Sequence, residues 1–278
     1  MGRLIAVLLF IAVLVPGVLL ARAWWLAAGR RAVAAGGVEL AEPTAEGART
    51  LLRQAQYGRR VRLLGLLVGL AGIVGSVVVL AEASVFLWVP ILLVGLVAGV
   101  LVAEATRPRP RWKMSSPPRR PRLGELISHW LVWTMRVTVA AQVVATVPQW
   151  RAGELSDAVG WAALVVPVAA WLLAEAALLR AVVRPLPEQG ADVPVDEALR
   201  TWTAHLVTAA TTVLALLPLG TLLLREGIDP DRVSKGYDFL PVAFVAGGFS
   251  ALAAGIAVAG FLLTWLRPVR SSTPALTR

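Results

Sequence analysis

Apolar positions along the chain gather in long unbroken runs instead of alternating with polar ones. Seven of these runs reach or approach the roughly 20 residues that a helix needs to cross a bilayer's hydrocarbon core of about 30 Å. They cover 4–21, 63–81, 84–103, 126–150, 157–179, 201–224 and 239–266. A barrel strand would show period-two alternation, and lipid leaves no backbone group unpaired, so each run predicts a helix. The pattern predicts a single all-α domain, a polytopic transmembrane helix bundle of one leading helix and three helical hairpins. The first run ends near Ala21-Arg22-Ala23, a form shared with signal-peptide cleavage sites. Cleavage there would place the arginine-rich segment that follows outside, so the run reads as an uncleaved span.

The loops supply the orientation. Segments 22–62, 104–125, 180–200 and 267–278 carry 21 of the 27 Lys and Arg residues, and the opposite side carries five, from Arg3 to Lys235. The positive-inside rule then places the N-terminus outside and the C-terminus in the cytoplasm. Within 22–62, Pro43 and Glu42 and Glu46 precede Arg49 and Arg53, which suits a short interfacial helix running into the second span and meeting anionic headgroups. The proline-rich basic loop from Arg107 to Arg122 reads as an extended stop-and-anchor segment. Glu82 and Ala83 leave room only for a tight hairpin. The external segment 225–238 has Asp229 and Asp231 but lacks the glycine and distal glutamate of a calcium loop, and it reads as a solvated turn.

Two internal matches suggest repeated hairpins. Val89-Pro90 with Arg107-Pro108 recurs 77 residues on as Val166-Pro167 with Arg184-Pro185, and Glu125 to Trp130 resembles Glu197 to Trp202 at a displacement of 72. Pro241 and Arg267-Pro268 give the last run the same punctuation. Arg-Pro is also a good helix terminator, which would produce such matches without any repeat. Gly65 with Gly69, Gly95 with Gly99, and the row Gly247, Ala251, Gly255 and Ala259 predict close helix packing.

Polarity inside the runs marks the candidate site. Arg136 lies near the middle of the fourth run, where an arginine costs roughly 2.5–3.5 kcal/mol on insertion scales and normally faces protein or water. Its face also holds His129 and Trp133, while Thr134, Thr138, Gln142 and Thr146 form another, so this helix is expected to be buried among others. Shifting the first face by 72 gives Thr201, His205, Thr208 and Thr212 in the sixth run. Glu175, well inside the fifth run, falls about one turn from the depth of Arg136 when the hairpin turns near 153–154. The expected seam therefore joins Arg136 to Glu175, with Thr208 and Thr212 beside it and His129 and His205 at its cytoplasmic mouth.

Composition narrows the classes of function. The chain is 58% hydrophobic and 16% charged, with a mean hydropathy of +0.73. Its net charge of +10 belongs to short loops, not to a basic face on a soluble module, so nucleic acid is not an expected partner. With no cysteine, two histidines, and no H-E-x-x-H or paired catalytic carboxylates in one span, the chain offers no catalytic, metal or cofactor site. Gly248-Phe249-Ser250-Ala251 lacks the last glycine and the later histidine of a rhomboid-type serine site. Tryptophans such as Trp112, Trp150 and Trp202 fall near span ends, where aromatic belts sit. The Arg-Pro-x-Pro stop, the basic loop after the third span, the Trp-flanked spans and the excess of Arg over Lys resemble poorly characterised integral membrane proteins of actinobacteria. That resemblance implies a cytoplasmic-membrane protein and carries no activity. The expected role is structural, accessory or interactional, without enzymatic activity; a transporter or channel-like subunit is the alternative and a membrane-embedded enzyme the third.

Overall fold

The computed structural model describes residues 45–80, 88–106, 120–184, 192–228 and 239–265, which are almost wholly helical, with no strand among the described residues. We number the helices α1 (Ala45–Leu80), α2 (Trp88–Thr106), α3 (Leu123–Leu126), α4 (His129–Arg151), α5 (Asp157–Val183), α6 (Asp192–Ile228) and α7 (Phe239–Trp265). Within α4 to α7, the stretches His129–Arg151, Asp157–Val183, Leu199–Ile228 and Phe239–Leu262 are long and apolar enough to cross a membrane. The expected second and third spans fall on α1 and α2; the first lies outside the described residues.

The end of α5 follows the punctuation: the helix stops at Val183, just before Arg184-Pro185. The residue before a proline avoids helical backbone angles, and the proline has no N–H with which to continue the ladder. Between α4 and α5, Gly153 takes φ 75°, and the Glu154 N–H returns to the Gln149 carbonyl at 3.0 Å. Trp150 closes this turn: its Nε1 donates to Asp157 Oδ1 at 2.9 Å, and its ring meets Trp161 edge-on at 5.0 Å.

Several boundaries differ from the sequence expectation. The fourth run is not one helix from 126, because Ile127 is extended at φ −149°, ψ 151° and separates α3 from α4. Leu126 and Ile127 are both buried, so the break turns two apolar side chains inward. The sixth helix starts at Asp192, not near 201, and takes up part of the expected 180–200 loop. The anticipated short helix before the second span is the N-terminal part of one continuous 36-residue helix, α1.

The described residues fall into two compact units. One comprises the described parts of Trp130–Leu172 and Thr208–Leu263; the other comprises those of Ala27–His129, Leu173–Val207 and Thr264–Arg278. In the second, α1 and α2 pack backbone to backbone. A Cβ on Gly65 would lie 2.6 Å from the Gly95 carbonyl oxygen and from the Gly99 Cα, and one on Gly95 would lie 2.6 Å from the Gly69 Cα. The two G-x-x-x-G motifs therefore interlock. In the first unit, α6 and α7 meet through Gly220 and Gly248, where a Cβ on either would lie 2.9 Å from the other's carbonyl oxygen. The packed row on α7 is thus Gly248, Ala251, Gly255 and Val258, one position off the expected row at each end. Gly247 is looser, with Leu223 Cδ1 at 3.6 Å from the position its Cβ would take.

Candidate functional site

The buried polar groups of α4 lie on one face. Met135, Val139, Gln142, Thr146 and Gln149 are buried at spacings of three and four. The other face, with His129, Trp133 and Ala140, is exposed, and Arg136 is intermediate. Contrary to the expectation of a helix enclosed on both polar faces, α4 encloses only one. Arg136 has its guanidinium 5.6 Å from the centre of the Trp133 ring, a cation–π distance. His129, expected at the mouth of a buried seam, is exposed; a Cβ on Gly124 would meet its ring at 2.7 Å.

A proline explains one bond of the buried face. Pro167 stands mid-helix in α5 and has no N–H, so the Ala163 carbonyl four residues earlier loses its helical donor. Gln142 Nε2 donates to that carbonyl at 3.4 Å and to Thr146 Oγ1 at 3.1 Å, while Thr146 Oγ1 donates to the Gln142 carbonyl at 2.7 Å. Gln149 Nε2 donates to the Leu222 carbonyl of α6 at 3.4 Å. The side-chain oxygens of Gln142 and Gln149 are buried and accept no hydrogen bond from the described residues.

α6 is the most enclosed of the four long apolar helices, 78% buried over its apolar window. Thr208, Thr211, Thr212 and His205 have no exposed surface. Thr212 Oγ1 donates to the Thr208 carbonyl at 2.8 Å, and Thr211 Oγ1 reaches across to the Ala170 carbonyl of α5 at 3.2 Å. His205 Nδ1 lies 2.8 Å from the Thr201 carbonyl; a carbonyl only accepts, so Nδ1 carries the proton of that bond. Glu175 is of intermediate exposure. It belongs to one compact unit and Arg136 to the other, and their expected pairing remains a proposal.

The strongest polar cluster is one that the sequence does not single out. Arg200, 4% exposed, donates from Nε to Asp196 Oδ2 at 2.6 Å, and from Nη1 to the carbonyls of Ala181 and Arg184 at 2.6 and 2.7 Å. A cation on the last carbonyls of a helix satisfies acceptors that the helix cannot, and it opposes the negative end of the helix dipole. Nearby in sequence, Thr203 Oγ1 donates to Glu104 Oε2 at 2.7 Å, with both side chains buried. Hydropathy places Glu104 in a loop beyond the third span, yet α2 carries it inside. The one available signal is the i, i+4 spacing of Asp196 and Arg200, which reads as a surface pair until a neighbouring helix end covers it.

Among the described residues no group of three or more His, Cys, Asp or Glu side chains could hold a metal ion. Comparison with family models, with characterised proteins and with solved structures finds no match to this chain.

Proposed function

We propose that the chain is an integral protein of a bacterial cytoplasmic membrane, with the N-terminus outside, seven spans, and a structural, accessory or interaction role. One observation supports this role above the others: buried hydroxyls and amides are turned onto protein groups. Thr146, Thr211 and Thr212 donate to backbone carbonyls, Thr203 to Glu104, and Gln142 to the carbonyl that Pro167 leaves open. The bonds of Gln142, Thr203 and Thr211 join one helix to another, those of Thr146 and Thr212 stay within their own helix, and all of them leave few donors for a solute. Large apolar side chains such as Leu64, Val68, Val144 and Ile256 are exposed, as expected of a surface whose solvent is lipid.

A cysteine introduced at Thr208 or Thr212 tests this reading in an otherwise cysteine-free chain. In membranes it should stay unmodified by a small water-soluble thiol reagent. Rapid modification would transfer support to the second reading, a secondary transporter or channel-like subunit. That reading draws on the Gln142 and Gln149 oxygens, which could accept hydrogen bonds from water or a solute.

A further inference from the structure

The C-terminal turns of α5 form a groove of about 360 Å³ lined by Leu179, Arg180, Val183 and Arg184. Two properties coincide there. Leu179 and Val183 are 64% and 50% exposed, four residues apart on one face, so an apolar strip enters the groove along the helix. Arg180 and Arg184 are also four residues apart, about 6 Å of helical rise, a spacing at which two guanidiniums can engage the oxygens of one phosphate. The backbone beneath them is fixed, because Arg200 binds the carbonyls of Ala181 and Arg184 and Asp196 balances its charge. Those bonds also occupy carbonyls at a helix end that would otherwise repel an anion.

We propose that this groove holds one anionic phospholipid, with its phosphate between Arg180 and Arg184 and an acyl chain along Leu179 and Val183. The proposal rests on the reading of α5 as a membrane span. A free phosphate would use the two arginines but gain nothing from the apolar strip. The diffuse attraction of basic loops for headgroups would need no particular pair of arginines. A discrete site predicts both dependences.

The test uses the full chain purified in mild detergent, with native mass spectrometry and thermal unfolding in phosphatidylglycerol, phosphatidylcholine or inorganic phosphate. Arg180→Gln with Arg184→Gln is compared with Arg120→Gln with Arg122→Gln, which removes the same charge from exposed positions elsewhere. Both arginines of the groove contribute side chains, so their replacement leaves the Arg184 carbonyl and its bond to Arg200 in place. The unaltered protein and the Arg120/Arg122 variant should keep one phosphatidylglycerol about tenfold or more tighter than phosphatidylcholine. The Arg180/Arg184 variant should lose that preference and the accompanying rise in unfolding temperature. Equal loss in both variants would overturn the site in favour of diffuse attraction, and equal stabilisation by inorganic phosphate would overturn the lipid. Retention of the preference by a folded Arg180/Arg184 variant would also overturn it. Alkaline carbonate extraction of membranes separates the two levels: release of the chain overturns the membrane reading, whereas retention with lipid-indifferent binding overturns the site alone.

Discussion

Gln142 supplies the hydrogen bond that Pro167 takes away. Its Nε2 donates to the Ala163 carbonyl, the acceptor that a residue with an N–H at position 167 would have satisfied. A proline in a buried helix leaves an acceptor that water cannot reach, and a polar side chain on the facing helix is one remedy. Gln142→Leu should therefore cost about 1–3 kcal/mol in a detergent unfolding assay. In a Pro167→Ala background the cost should shrink, because the helix regains its own donor. Equal costs in the two backgrounds would show that the pairing contributes nothing.

Glycine substitutions should separate tight from open positions. Gly95→Ala places a methyl 2.6 Å from the Gly69 Cα and should destabilise the packing of α1 on α2 by roughly 2 kcal/mol or more, the scale of an overpacked core. Gly75→Ala, with nothing within 4 Å of the added carbon, should be neutral or stabilise by about 0.5–1 kcal/mol through the unfolded chain. Thermal unfolding of the two variants side by side gives the comparison, and similar losses in both would contradict the packing.

Arg200→Ala should be among the most damaging single changes. It strands Asp196 in a buried position and uncovers two carbonyls at the end of α5. Breaking one side of a buried pair typically costs about 3–5 kcal/mol. Adding Asp196→Ala should recover part of the loss by removing the stranded charge, but not the part due to the carbonyls. Hydrogen exchange near 181–184 should therefore stay faster in the double variant than in the unaltered chain, and a return to normal exchange would argue against the capping role.

The expected Arg136–Glu175 pair is tested by Arg136→Ala, Glu175→Ala and their combination. Pairing predicts that the double change costs clearly less than the sum of the singles, by about 0.5–3 kcal/mol for groups in contact. Strictly additive losses would remove the pair from the account of the seam.

Orientation can be read with the same cysteine-free background. A thiol at Ala152 in the α4–α5 turn should react with an impermeant maleimide added to intact cells, and one at Glu125 only after the membrane is opened. The reverse pattern would invert the topology.

The helices are legible in the sequence as apolar runs, and the end of α5 is legible where its run meets Arg184-Pro185, although Pro148, Pro167 and Pro218 stand inside helices that continue past them. The face that turns inward is not. Periodicity places Arg136 and Gln142 on different faces of α4, yet which face is enclosed depends on what packs against it, and the structure encloses Gln142. Lone glycines such as Gly220 and Gly227 carry no motif, and their closeness to α7 emerges only when Gly248 and Pro241 stand opposite them. Residues 192–200 read as a loop because they are polar; Arg200 gains its burial from the end of α5, a neighbour that local sequence does not announce. The match between 125–130 and 197–202 also parts company in backbone form, one interrupted at Ile127 and the other continuous in α6.

The length of α6 has a consequence for where charge can be carried. At 1.5 Å per residue its 37 residues extend about 55 Å, well beyond a hydrocarbon slab of about 30 Å. If the apolar stretch from Leu199 occupies that slab, the turns carrying Asp196 precede it, where water and headgroups lie near. Arg200 then stands at the threshold, shielded by protein instead of lipid. One helix would pass from an aqueous to an oily solvent, with its ion pair placed at the crossing.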